Sequence, residues 1–376
     1  MSKKLYILCQ RYYDEDKRNI SIGGIQTYIL NLLDVAKYVG VSVSIIQYAK
    51  SNFILDYADG IRIIGVDVSK TKSVSIKNRR LYKVFLEYAT IEDVLLYATE
   101  AIALQKSKCY SIAIQHGISW DIESQEQCSR FSNICNIFRK SLEAILLTYY
   151  IKNVDKVIAV DYNYLNWYRT QIKHKEAEIK VIPNFTKIPA KNKKIKIDES
   201  VTILFARRLQ PYRGTRLFAE AIRNILIKYD NLNVVIAGEG PDEEYLKAMF
   251  ADNAHVTFIK YHVSESLEIH KDVDIAVIPT VGSEGTSFSL LEAMASYCAV
   301  ICTNVGGMTN IIINGYNGIM INPSVKELTN ALDLLVSDEA TRLYLANNAY
   351  DVAKKSFSYD RWKDSWISIL QNAFNI

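Results

Sequence analysis

Val277-Ile278-Pro279-Thr280-Val281-Gly282-Ser283-Glu284-Gly285-Thr286-Ser287-Phe288-Ser289-Leu290-Leu291-Glu292-Ala293-Met294-Ala295 is the stretch whose reading decides the fold. It opens on a short apolar strand, passes through a polar turn, and takes helical spacing from about Thr286. A buried strand feeding a helix in this way is the building block of a doubly wound α/β sheet. The helix start leaves the N–H groups of Ser287, Phe288 and Ser289 without intrahelical acceptors. With the partial positive charge there, they make an anion site suited to a diphosphate. Glu292 stands amid Leu290, Leu291, Ala293 and Met294, a costly setting for a carboxylate without strong hydrogen bonds. Ribose hydroxyls or a structural arginine would each supply them.

The same rhythm extends outward in both directions. Leu5–Cys9, Val41–Gln47, Ile61–Val66, Ser111–Gln115 and Lys156–Val160 read as strands, with a helix over Ile25–Tyr38. After Ile182-Pro183-Asn184 comes the lysine-rich stretch 187–199, which reads as a linker. Strands resume at Val201–Ala206, Asn233–Ala237, His255–Ile259, Ile275–Pro279, Val300–Thr303 and Gly318–Ile321, with a helix over Thr215–Tyr229. At 376 residues the chain exceeds the size at which one core stops growing, roughly 250–300 residues. The expectation is α/β, two tandem Rossmann-like domains facing a central cleft: 1–185, and 186–358. The helix over 359–376 carries Trp362, Trp366 and Ile369 at helical spacing, and is expected to pack back onto the first domain.

Composition narrows the function classes. With 49% apolar and 23% charged residues the chain is not disordered. Its longest apolar stretch, around Ala144–Ile151, falls far short of the roughly 20 residues of a membrane span. The N-terminus reads as a first strand rather than a signal peptide, which implies a cytoplasmic protein. The six cysteines form no Cys-x-x-Cys pair and are expected as reduced, buried thiols. A net charge of +4 is too small to imply nucleic acid. Residues 1–185 hold 25 basic against 19 acidic side chains, densest at Lys77-Asn78-Arg79-Arg80-Leu81-Tyr82-Lys83. That run is either a solvated face or a patch that approaches anionic lipid or a phosphorylated acceptor, the lipid case placing the protein peripherally at the inner face of a membrane.

Four more motifs lie at strand ends or glycine turns. Phe205-Ala206-Arg207-Arg208-Leu209-Gln210-Pro211-Tyr212-Arg213-Gly214 sets Arg208 and Arg213 across a strand-to-helix turn. Guanidinium forks there suit a diphosphate, although a plain surface turn reads the same. Val235-Ile236-Ala237-Gly238-Glu239-Gly240-Pro241-Asp242 is a strand ending in a glycine loop, a weak signal alone. Ser21-Ile22-Gly23-Gly24-Ile25-Gln26 is a glycine turn before a helix that lets a ligand approach the backbone. Gln115-His116-Gly117 puts a histidine at the carboxyl end of a strand, a place where structural histidines are also common. Asp14-Glu15-Asp16 reads as a solvated loop, and no metal site is expected.

Taken together and in order, these motifs resemble the retaining glycosyltransferases of family 4, which have the GT-B architecture. The likeness is densest over residues 201–322, including Val305-Gly306-Gly307. It implies that Glu284 accepts hydrogen bonds from donor-sugar hydroxyls, that Glu292 holds the ribose, and that Ser287, Phe288 and Ser289 meet the phosphates. It implies further that Arg208 and Arg213 stabilise the departing diphosphate, that Gly23 and Gly24 admit it closely, and that His116 lies beside the sugar. Base contacts fall around Gly240 and Tyr261–Val263. The chain departs from the family at Arg207, where a glycine is usual, at Thr286-Ser287, and at Asn184-Phe185-Thr186-Lys187.

The implied activity is metal-independent transfer of a hexose from a nucleotide-diphospho-sugar, with UDP preferred, to a saccharide or lipid-linked acceptor with retention of configuration. No cofactor beyond that co-substrate is expected. The competing expectations are a nucleotide-sugar epimerase or hydrolase of the same architecture, and a non-catalytic transferase-like partner.

Overall fold

The computed structural model describes residues 3–16, 18–21, 23–57, 60–121, 130–171, 178–189, 200–262, 265–282 and 284–376. Ile22, Cys128, Val263, Ser283 and residues 190–199 of the expected linker lie outside the described residues. The chain divides into two compact units. The first comprises Met1–His116, Cys135–Pro183 and Trp362–Ile376, and the second Gly117–Ile134 and Asn184–Arg361.

The first unit runs β1 (Lys4–Cys9), the short antiparallel pair β2 (Tyr13–Asp14) and β3 (Asn19–Ile20), α1 (Gly24–Val39), β4 (Ser42–Ala49), β5 (Phe53–Tyr57), β6 (Ile61–Asp67) and α2 (Val74–Tyr88). It continues with β7 (Val94–Tyr97), β8 (Tyr110–Gln115), α3 (Arg130–Ile151), β9 (Lys156–Ala159), α4 (Tyr162–Gln171) and β10 (Glu178–Val181). The sheet order is β10-β9-β8-β7-β1-β4-β6-β5, parallel except for the edge strand β5. Central β1 is buried from Leu5 to Cys9, the mark of a strand covered on both faces. Strands β5, β7 and β10 are additions to the sequence reading. β7 and β10 have four residues each, too few for a period to show, and β5 is an edge strand that leaves Ile54 exposed.

The second unit runs β11 (Val201–Ala206), α5 (Thr215–Lys228), β12 (Leu232–Ala237), α6 (Glu243–Met249), β13 (Val256–Ile259), β14 (Ile275–Ile278), α7 (Phe288–Ala295), β15 (Ala299–Thr303), β16 (Ile319–Ile321), α8 (Val325–Ser337) and α9 (Glu339–Ser356). Its six strands are all parallel, ordered β13-β12-β11-β14-β15-β16. That is the doubly wound order with its reversal between β11 and β14, where the loops leaving two neighbouring strands run to opposite faces and open a crevice.

Two segments fall differently from a cut after residue 185. Gly117 groups with the second unit: at φ +110° it lies so close to Gly285 that a Cβ would come within 2.8 Å of the Gly285 nitrogen. The last helix, α10 (Tyr359–Phe374), returns from Trp362 onward to the first unit. There the Trp366 indole donates to the Tyr28 hydroxyl at 2.7 Å, and Trp362 meets the Tyr28 ring edge-on at 5.2 Å. Full burial of such aromatics contributes about 1.5–3 kcal/mol each.

Cys9, Cys109, Cys298 and Cys302 are buried free thiols, but Cys135 is exposed on α3, a correction to the expectation of burial. The apolar residues near it on α3, Ile134, Ile137 and Phe138, are themselves exposed. Asp14, Glu15 and Asp16 hold their own chain: Arg11 pairs with Asp14, Lys50 with Asp16, and the Lys50 amide donates to Glu15. Among the described residues no group of three or more His, Cys, Asp or Glu side chains is placed to hold a metal ion, and no helix is long and apolar enough to cross a membrane.

Candidate functional site

The reversal point of the second sheet holds a charged cluster. Glu284, on the loop leaving β14, receives the Arg207 guanidinium at 2.7 Å, the Arg213 guanidinium, and the Thr280 hydroxyl at 3.0 Å. All three bond to Oε2. Among the described residues none bonds to Oε1. Arg207 also donates to the Thr280 hydroxyl, and its side chain is only 5% exposed. Burial opposes ionisation of Glu284, but Arg213 and Arg207 outweigh it and hold the carboxyl at about 2. Two permanent cations and one anion leave the cluster one positive charge in excess.

Glycines let these loops approach. Gly214, at φ +80°, ends the turn carrying Arg213 and lies against the Pro279 carbonyl, where a Cβ would come within 1.8 Å. Gly306 does the same against the Glu284 carbonyl, at φ +55° and 2.0 Å. The Gly307 amide donates to that carbonyl at 2.7 Å, so Val305-Gly306-Gly307 braces the Glu284 turn from behind. Gly240 is explained by packing, since a Cβ there would strike the Leu209 carbonyl at 2.3 Å.

Three residues on, the turn becomes α7. Ser287 is the N-cap and accepts from the Leu290 amide, and no acidic residue occupies the first turn. The start is held from the 184–185 side: the Asn184 amide donates to the Thr286 carbonyl at 2.7 Å, and the Phe185 ring meets Phe288 edge-on at 5.6 Å. Phe288 and Ser289 are half-buried. One turn further in, Glu292 accepts from the Ser266 hydroxyl at 2.9 Å. Its partner is therefore a hydroxyl and not an arginine. Burial pushes its carboxyl up to about 7, only partly offset by Ser266. Tyr261 feels the charges of both Glu292 and Arg207, which places the three in one neighbourhood.

This raised value makes a prediction. The folded carboxyl keeps its proton up to about pH 7, whereas its ordinary value is 4.5. The resulting stability is fully present below the lower value and is lost as pH rises through the window between them. Glu292→Gln should therefore stabilise the ligand-free protein by roughly 1–3 kcal/mol at pH 8, with little gain at pH 4. Thermal unfolding at both pH values checks this. A gain that did not depend on pH would rule out the buried carboxylate as its source.

The sequence-singled residues thus divide. Arg213, Glu284, Ser287, Phe288, Ser289 and Glu292 lie along the reversal point and the helix it feeds. Arg208 is exposed on the loop after β11, and the guanidinium that holds Glu284 beside Arg213 is Arg207. Arg207, Thr280 and Ser266 were missed. A signal for Arg207 existed: it is a cation directly after four apolar residues at the carboxyl end of a strand. Neither Thr280 nor Ser266 had one.

In the first unit, His116 follows β8. Its Nε2 donates to the Ala98 carbonyl at 2.9 Å, and its ring meets Tyr28 edge-on at 5.3 Å. Burial lowers it to about 4, so the ring is neutral at pH 7 with its lone pair on Nδ1. Gly23 and Gly24 open α1, whose first turn has neither a side-chain cap nor an acidic residue.

Known proteins share this fold. Residues 187–352 match the family model for glycosyl transferases group 1. The sucrose-phosphate synthase structure from Thermosynechococcus elongatus superposes with a TM-score of 0.76 at 14% identity, over 99% of each chain. The structure of Anabaena HepE in complex with UDP superposes at 0.69 and 16% identity, over 98% of this chain and 100% of that one. The fold is GT-B. Both Rossmann-like units of this GT-B chain are covered by those superpositions. Sequence likeness is more local: N,N'-diacetylbacillosaminyl-diphospho-undecaprenol alpha-1,3-N-acetylgalactosaminyltransferase of Campylobacter jejuni is 31% identical over 171 residues, 45% of this chain and 43% of that protein. The chain spans less than half the length of this relative and of an uncharacterized glycosyltransferase of Methanocaldococcus jannaschii, 29% identical over 184 residues.

Proposed function

We propose that the protein is a glycosyltransferase that moves a hexose from a nucleotide-diphospho-sugar to a hydroxyl of a saccharide or lipid-linked acceptor, with retention of configuration. The observation that carries this reading is the cluster at the sheet reversal. A carboxylate held on one oxygen by two arginines, with no described residue bonded to its other oxygen, precedes an uncharged helix N-terminus. The Glu284 Oε1 lone pairs suit sugar hydroxyls. The surplus positive charge and the amides of Phe288 and Ser289 suit the diphosphate. Glu292 accepts from the ribose hydroxyls, and Arg208 adds charge at the rim.

In the reaction the bond from the anomeric carbon to the diphosphate oxygen breaks, and a bond to the acceptor oxygen forms on the same face. The acceptor's proton passes to the departing diphosphate oxygen. The chain supplies no nucleophile. It contributes preorganised positive charge where negative charge develops, and by family likeness Gly24 admits the diphosphate while neutral His116 offers Nδ1 to a sugar hydroxyl. The group 1 family match supports transfer chemistry, and the UDP held by HepE supports UDP as the carrier. The Campylobacter relative's name, which includes diphospho-undecaprenol, supports a lipid-linked acceptor. Turnover without a divalent cation is part of the proposal, because Arg207, Arg213 and the α7 N-terminus already provide charge.

A thermal-shift screen of UDP, GDP and ADP and their hexoses tests it. A nucleotide at about 100 times its dissociation constant adds ~2.7 kcal/mol. We expect a uridine nucleotide to raise the midpoint by several degrees, and its hexose to be consumed with or without EDTA. No shift with any nucleotide would remove the donor site. Free sugar as the sole product even with acceptors present would favour a hydrolase.

A further inference from the structure

We infer that α3 and the adjoining end of α2 form a docking surface for an anionic lipid bilayer. On α3, Ile137, Phe138, Leu142, Ile145, Leu146 and Tyr149 are each between 42% and 75% exposed. Their spacing of three and four puts them on one broad face of the helix. Single exposed apolar residues are ordinary, but a contiguous stripe over more than three turns marks a surface that meets another apolar phase. The opposite side of the helix, through Ala144, Leu147 and Ile151, is buried in the first unit, so the stripe is presented on a fixed scaffold.

A groove of about 370 Å³ runs beside the stripe between the two helices, lined chiefly by Val74, Ala101, Leu104, Leu142 and Leu146. Its dimensions and apolar walls suit a hydrocarbon chain. Val74 and Ile76 at the start of α2 extend the exposed apolar area.

Charge selects the occupant. Arg139 and Lys140 on α3, with Lys152 just past its end, stand against Glu143, and α2 adds exposed Arg79 and Lys83 and half-buried Lys77 against exposed Glu87. Apolar residues bordered by cations, with Tyr149 beneath the Lys152 ammonium at 5.8 Å, are what a helix lying in a headgroup layer needs. A second copy of the chain would bring these cations against their own kind. Anionic headgroups would neutralise them. The surface shares no residue with the donor site, so either reading can fail while the other stands.

Flotation of the full chain with vesicles of 30% phosphatidylglycerol in phosphatidylcholine, and with pure phosphatidylcholine, provides the test. We expect binding to the anionic vesicles, at least tenfold less to the neutral ones, and loss of binding in high salt. Phe138→Ser with Ile145→Ser should cut partitioning at least tenfold while leaving donor consumption unchanged, since both side chains are exposed. A second readout needs no change to the stripe. An environment-sensitive dye on exposed Cys135, in a Cys128→Ser background, should shift to the blue on anionic vesicles. The inference is overturned if the protein stays with the buffer at every lipid concentration, if the double variant binds as well as the parent, or if the stripe instead drives concentration-dependent dimerisation without vesicle binding.

Discussion

Glu284→Ala should lower the unfolding free energy by about 3–5 kcal/mol at pH 7, the cost of leaving buried charge without its partner. Among the described residues the carboxylate is the only anion paired with Arg207 and Arg213, and Arg207 has almost no access to water to replace it. The pH dependence identifies the cause. Glu284 titrates at about 2 against an ordinary 4.5, so its contribution is present above the ordinary value and is lost as pH falls toward about 2. Parent and variant should therefore converge in acid. Chemical denaturation at pH 7 and pH 3 measures the difference. Equal losses at the two values would point to a packing defect. The paired change Arg207→Met with Glu284→Leu should recover most of the stability, because apolar replacement of a buried pair is often neutral. It should recover none of the activity, because the oxygen offered to the sugar is gone.

Arg213→Ala is expected to reduce kcat by about 100- to 1000-fold, or roughly 2.7–4 kcal/mol, the range for removing one preorganised donor to a developing negative charge. Arg213 is half-buried, fixed by Glu284 and by the Tyr212 ring 4.9 Å away, so it cannot be replaced by water without reorganisation. The nucleotide dissociation constant should move far less than kcat, since full charge on the diphosphate develops only as the sugar leaves. Arg213→Lys should restore part of the rate. Arg208→Ala is the informative comparison, because its exposed side chain is screened by solvent and its loss should cost less than that of Arg213. Near-normal turnover of Arg213→Ala would take the leaving-group role away from this cluster.

Much of this was written locally. The strands at Leu5–Cys9, Val201–Ala206, Ile275–Pro279 and Val300–Thr303 show as continuous apolar runs because both faces of a parallel sheet are covered. The start of α7 could be read to within two residues, since Ser287 is both a good cap and the last polar residue before a helical run. Other features had a partial local sign or none. The place of Arg207 at the end of β11 marks a cation there, but the adjacent pair Arg207-Arg208 does not tell which guanidinium turns inward. That depends on the strand's pleat at Ala206 and on Thr280 waiting across the sheet. Nothing in the sequence around Asn184 showed that its side-chain amide holds the Thr286 carbonyl, 102 positions away, in the turn before α7.

The succession of strands and helices along the chain and the two-unit architecture were thus determined by the sequence itself, because burial periodicity and turn chemistry act over a few residues. Tertiary structure alone decided which side chains meet. Arg207, Arg213, Thr280 and Glu284 are separated by up to 77 positions, and only the reversal of strand order between β11 and β14 brings their loops together. The same holds for the apolar stripe of α3. Apolar residues line both sides of this helix, and only the packed structure shows that the core lies on the side of Ala144, Leu147 and Ile151.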